Sequence, residues 1–213
     1  MNYKPKYYSP AEEKLNVWSH GLGIILSIVA LIALLRNAIL FGDSWHMLAY
    51  IIYGASQIAI FTASTLYHSA KIPVYRYRLN IFDHAAIYLS IAGSYTPFTL
   101  ITIRGPWGWA VFITVWLVAA IGIILKLYFT GRFKLLSTIG YVAMGSIIII
   151  AIKPLIKNLA FEGLIWLATG GTLYLIGAVL YQIKSIPYNH AIFHFFVLIA
   201  AICHFISIYI YTI

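Results

Sequence analysis

The stretch Ile186-Pro187-Tyr188-Asn189-His190-Ala191-Ile192-Phe193-His194 places two histidines four residues apart at the opening of the last long apolar segment of the chain. On a helix, imidazoles at that spacing stack one turn apart on one face and can hold a single metal ion between them. Two ligands do not complete a metal site, so others must arrive at the same depth from elsewhere in the chain. The one cysteine, Cys203, lies inside the last apolar run, which excludes an intrachain disulfide and a thiolate cluster. Any metal must therefore be held by histidine and carboxylate.

The elements that would position those ligands are membrane helices. Hydrophobic residues make up 62% of the chain and charged residues 9%, with a mean hydropathy of +0.91. A soluble domain of this length could not cover itself with so little polar surface. The apolar residues fall instead into seven runs, at about 16–40, 45–68, 81–103, 110–129, 135–152, 164–183 and 187–211. Each is long enough to cross a hydrocarbon core of about 30 Å as a helix. The reading is an all-α integral membrane protein, a seven-transmembrane helix bundle forming one domain behind a short polar arm, residues 1–15. Within the arm, Ser9 followed by Glu12 has the form of a helix start. No small-residue cleavage site follows the first run, so it is expected to be a retained span and not a signal peptide. Pro97 should kink the third span, and Gly170, Gly171 and Gly177 should let the sixth approach a neighbour closely.

A formal net charge of +9 could suggest nucleic acid, but the basic residues are scattered between apolar runs, and anionic lipid is the more natural partner. Lys4, Lys6, Lys14, Lys71, Arg76, Arg78, Lys126, Arg132, Lys134 and Lys184 fall on one side, against Arg36, Arg104, Lys153 and Lys157 on the other. The positive-inside rule then puts the N-terminus in the cytoplasm and the C-terminus outside.

That topology brings the unusual polar residues together. His68 closes span two with Ser64 one turn deeper, Asp83 lies just inside span three, and His190 and His194 open span seven, all on the cytoplasmic side. Three neutral imidazoles and an open position form the arrangement that zinc uses for catalysis, lowering the pKa of bound water to about 7. Asp83 could accept that water's proton or orient a histidine, and Ser64 could hydrogen-bond the water or a developing oxyanion. Asn16, Ser19 and His20 are possible supporting groups from span one. Each residue also has a plainer reading. Asp83 follows Asn80 by three and could be a capping carboxylate, His68 could be interfacial, and Ser64 could bond back to its own helix. His46 and His204 are expected to lie apart from the cluster.

Taken together, Glu13-x-x-Asn16-x-x-Ser19-His20, Ser64-x-x-x-His68, Asp83, Ala92-Gly93-Ser94-Tyr95-Thr96-Pro97 and His190-x-x-x-His194 resemble the hemolysin III family. These are the bacterial members of the progestin and adipoQ receptor superfamily, related to the alkaline ceramidases. The resemblance implies a seven-helix bundle with a cytoplasmic N-terminus in the cell membrane and zinc held by His68, His190 and His194. It also implies Asp83 and Ser64 beside the zinc-bound water, and hydrolysis of amide bonds in ceramide-type lipids. The chain has Ser19 where the animal receptors often carry threonine, and it lacks their long N-terminal cytoplasmic region, which weakens any inference of hormone-receptor signalling. Three functions follow as expectations. The first is a zinc-dependent lipid amide or ester hydrolase, with membrane lipids as its partners. The second is a non-enzymatic sensor or lipid-homeostasis protein with structural zinc. The third, a cytolysin, is disfavoured because seven apolar spans leave no soluble form.

Overall fold

The computed structural model describes residues 6–130 and 132–213; Lys4, Gly131 and the side chain of Lys134 lie outside the described residues. Helices α1 (Pro10–Phe41), α2 (Ser44–Ser69), α3 (Pro73–Pro97), α4 (Gly105–Phe129), α5 (Lys134–Gly145), α6 (Ile152–Asn158), α7 (Phe161–Gln182) and α8 (Asn189–Tyr211) follow one another with short connections. A π-helical turn, Phe98–Ile103, continues α3, and a 3-10 segment, Ile147–Ala151, joins α5 to α6. Among the described residues seven segments are long and apolar enough to cross a membrane, the all-α architecture that the apolar runs predict.

Several helices extend beyond the apolar runs. Helix α1 begins at Pro10, where Ser9 Oγ accepts from Glu12 N at 3.2 Å and proline supplies a preset φ for the first turn. Helix α3 begins at Pro73, eight residues before the expected start, so that Arg76 and Arg78 belong to a helix and not to a connection. Charge concealed it: Arg76 is buried, with its guanidinium consumed inside the protein. At the start of α2, Asp43 accepts from the backbone N–H of Trp45 and His46, and the His46 ring folds back with Nδ1 2.7 Å from Oδ1. That histidine contact, aided by Arg104, holds the Asp43 carboxyl well below the usual carboxylate range. His46 also reaches Thr212 O at 3.2 Å, which ties this end of α2 to the C-terminus.

Pro97 acts as expected on the third span, with a specific outcome. Helix α3 stops at Pro97 and the backbone widens into the π turn, because proline has no N–H to return to the preceding turn. Thr96 and Thr99 hydroxyls donate to Ala92 O and Tyr95 O within this stretch. Tyr95 Oη donates to Gly145 O at 2.6 Å and accepts from Ile148 N at 3.0 Å, stitching the end of α3 to the break in the fifth span.

The helices pack through small residues and show their large apolar side chains outwards, as lipid requires. On α1, Asn16, His20, Gly23, Ser27, Leu34 and Ala38 form the buried stripe, while Trp18, Ile25, Val29 and Ile32 are exposed. On α7 the buried residues are Gly163, Gly170 and Gly177, one every seven residues, facing Tyr211, His204 and Phe196 of α8. Gly171, expected to share that role, has open space beside it. Gly93 is the tightest close approach: a Cβ there would lie 2.0 Å from Ser56 Oγ of α2. Gly93→Ala is expected to cost about 1–3 kcal/mol through forced separation of α2 and α3, read as a lower thermal midpoint in detergent. Gly171→Ala, within about 0.5 kcal/mol of wild type, is the control.

Candidate metal centre

Helices α1, α3 and α8 begin at the end of the bundle where α2 finishes. Stepping inwards along α1 and α8, and backwards along α2, gives matching turns: Asn16, His68 and His190 in one, then His20, Ser64 and His194 in the next. The three expected ligands meet there. His68 Nε2 lies 3.1 Å from His190 Nε2, which lies 3.1 Å from His194 Nε2. All three residues are buried, and they offer ligand atoms within 4.8 Å of one another.

Hydrogen bonding alone satisfies this cluster poorly. His68 Nδ1 is 2.7 Å from Glu13 Oε2, an acceptor, so the ring proton belongs on Nδ1 and Nε2 presents a lone pair to its neighbours. His190 Nε2 faces two other Nε2 atoms and could donate to only one of them. A cation accepts all three lone pairs at once. Nitrogens bound to one zinc at about 2.0–2.1 Å in tetrahedral geometry sit roughly 3.3 Å apart, close to the observed spacing. The residues present therefore fit a metal ion.

Glu13 is the part of the site that sequence reasoning did not assign. Its carboxylate bridges His68 Nδ1 and the guanidinium of Arg76, and accepts from Tyr8 N at 3.1 Å. A carboxylate behind a ligating histidine sets tautomer and ring orientation. Arg76 in turn donates to Lys6 O, Tyr67 O, His68 O and Ala70 O, which explains how a cation is buried at this depth. Glu12 Oε1 accepts from His190 N at 3.3 Å, covering a free N–H in the first turn of α8. A signal for Glu13 was present: Glu13, Asn16 and His20 stand at i, i+3 and i+7, one helical face, in a chain with five acidic residues.

The supporting residues divide. The Asn16 amide nitrogen lies 3.2 Å from His68 Nδ1, a packing contact and not a hydrogen bond once that nitrogen carries the proton given to Glu13. His20 stacks on His194, ring centroids 3.7 Å apart and 12° from parallel, with Phe61 edge-on behind it. Ser19 instead donates to the backbone of Asn16, its own helix, at 3.1 Å. Ser64 does not take the plainer reading, since its buried Oγ has no partner among the described residues. Nor is Asp83 a capping group, because α3 starts ten residues earlier. Its carboxylate is 3.3 Å from His84 Nδ1 and close enough to His68 and His194 to interact with them electrostatically. His46 and His204 stay apart, the first at the opposite end of α2 and the second against Gly170 and Tyr174.

The family model described as "Haemolysin-III related" matches residues 8–205. The chain is 45% identical to "Hemolysin-3" of Bacillus cereus over 201 residues, 94% of this chain and 92% of that protein. It is 41% identical to "Hemolysin-3 homolog" of Bacillus subtilis (strain 168), covering 95% of each. It is 30% identical to "Monocyte to macrophage differentiation factor" of Homo sapiens, over 98% of this chain and 87% of that one.

Proposed function

Because the chain belongs to the haemolysin-III related family of membrane proteins, we propose that it is a zinc-dependent hydrolase of a lipid amide or ester, resident in the cell membrane and acting at the cytoplasmic leaflet. The observation that supports this reading is the meeting of three histidine Nε2 atoms, from α2 and α8, with a carboxylate fixing one of them. His68, His190 and His194 hold the ion. When bound, zinc supplies a Lewis acid that polarises a carbonyl and makes water acidic near neutral pH.

The chain's own groups do the rest. Glu13 holds the His68 ring so that Nε2 points into the site. The Asp83 carboxylate accepts a proton from water and returns it to the leaving amine or alcohol. Ser64 Oγ, which has no partner among the described residues, donates to the oxygen on which negative charge develops. The excess of Lys and Arg at this end supports the cytoplasmic placement.

Asp83→Ala tests the reading. With the protein in lipid nanodiscs and a panel of lipid amides and esters, the variant is expected to keep its zinc and lose about 10²–10⁴-fold in turnover. Unchanged turnover in Asp83→Ala, or none in zinc-loaded wild type across the panel, overturns it. The cluster also ties α1, α2, α3 and α8 together at one end, and this favours a structural clasp as the second reading. Chelation would then melt the bundle without any reaction to abolish.

A further inference from the structure

Residues 6–9, ahead of α1, lie across the histidines, and Lys6, Tyr7 and Tyr8 are each tied down. Tyr8 stacks flat on His190, ring centroids 4.5 Å apart and 9° from parallel, and its centroid is 5.7 Å from that of His68. Lys6 Nζ sits over the Tyr8 ring, 4.1 Å from its centroid. The backbone is fastened at Lys6 and at Tyr8 itself. Lys6 O accepts from Arg76 Nε at 2.9 Å and from Tyr67 Oη at 3.4 Å, and Tyr8 N donates to Glu13 Oε1. Tyr7 packs under the Arg76 guanidinium and donates to Lys71 O at 3.2 Å.

We propose that Tyr8 is the closing residue of the histidine site: it seals the polar end of the bundle, so that the arm must lift before anything from water reaches His190. Two features carry this. Glu13 and Arg76, which orient His68, are the same groups that anchor the arm, so closing the arm and ordering the ligand are one event. The ring that covers His190 is aromatic, and a stacked pair resists separation while excluding water. A lipid substrate is then left with the route from the bilayer between helices, which in this respect rests on the hydrolase reading. The closure does not.

Closure is tested without metal, by carbethoxylation of His190 with diethyl pyrocarbonate in metal-stripped protein in nanodiscs, read by mass spectrometry. Labelling of a covered group follows the population of its open state. Tyr8→Ala is expected to speed His190 labelling about fivefold to tenfold, the value of one stacked aromatic pair. Tyr8→Phe keeps the ring and should label at the wild-type rate. His204, further along α8 with both ring nitrogens buried, is the internal control and should not change. Equal His190 rates in wild type and Tyr8→Ala overturn the proposal, and so does a parallel rise at His204, which would mean general loosening. Wild type without zinc would sink the metal reading and leave the closure result standing.

Discussion

His190→Ala/His194→Ala is expected to reduce bound metal from about one ion per chain to none, measured by elemental analysis of detergent-purified protein. The effect should be all or nothing. Removing both α8 histidines leaves His68 alone, and one imidazole does not retain zinc through purification. The variant should still fold, because both side chains lie at one end of the bundle while the main apolar core sits with Leu34, Tyr50, Val115 and Ile208 elsewhere. Far-UV helicity and a monodisperse size-exclusion profile check this. Wild type that carries no metal after purification without chelator and incubation with zinc would contradict the site, as would a double variant that keeps its ion.

Glu13→Gln should produce the second large effect, on two quantities that can be separated. Metal affinity is expected to fall about 10–100-fold, since a neutral amide holds the His68 ring less firmly and makes Nε2 less basic. Stability should fall as well, because the buried Arg76 loses its counter-charge. Breaking a buried ion pair costs roughly 3–5 kcal/mol, and the 17% exposure of the Glu13 side chain puts this case at the lower end. Glu13→Gln/Arg76→Leu distinguishes the two. It removes the orphaned cation and should recover much of the thermal midpoint, yet metal affinity, measured by competition with a calibrated chelator, should stay low. Recovery of both would assign Glu13 to charge neutralisation and deny it any part in orienting His68.

Much of the site was legible because the membrane simplifies inference. Seven apolar runs alternate in direction, so the sequence position of a polar residue within a run translates into depth. That translation alone places His68, Ser64, Asp83, His190 and His194 at one end of the bundle. The same alternation puts His46 elsewhere. Hydropathy fails where charge is neutralised internally. Arg76 and Glu13 fall outside the apolar runs, but each conceals the other's charge, and the helices carrying them run on past the apolar boundary. A sum over single residues cannot register a pair.

Residue types and their spacing were enough for the chain to declare its class, its number of spans and the three histidines of the candidate site, since those depend on periodicity and on the cost of polar groups in hydrocarbon. Packing alone settled which neighbours complete the site. Whether Ser19 or Glu13 supports the histidines, whether Ser64 bonds to its helix, and which residue of the arm covers His190 all turn on helix rotation and on contacts between residues far apart in sequence. A rotation of one residue, about 100°, exchanges one answer for another, and no local pattern in the chain encodes it.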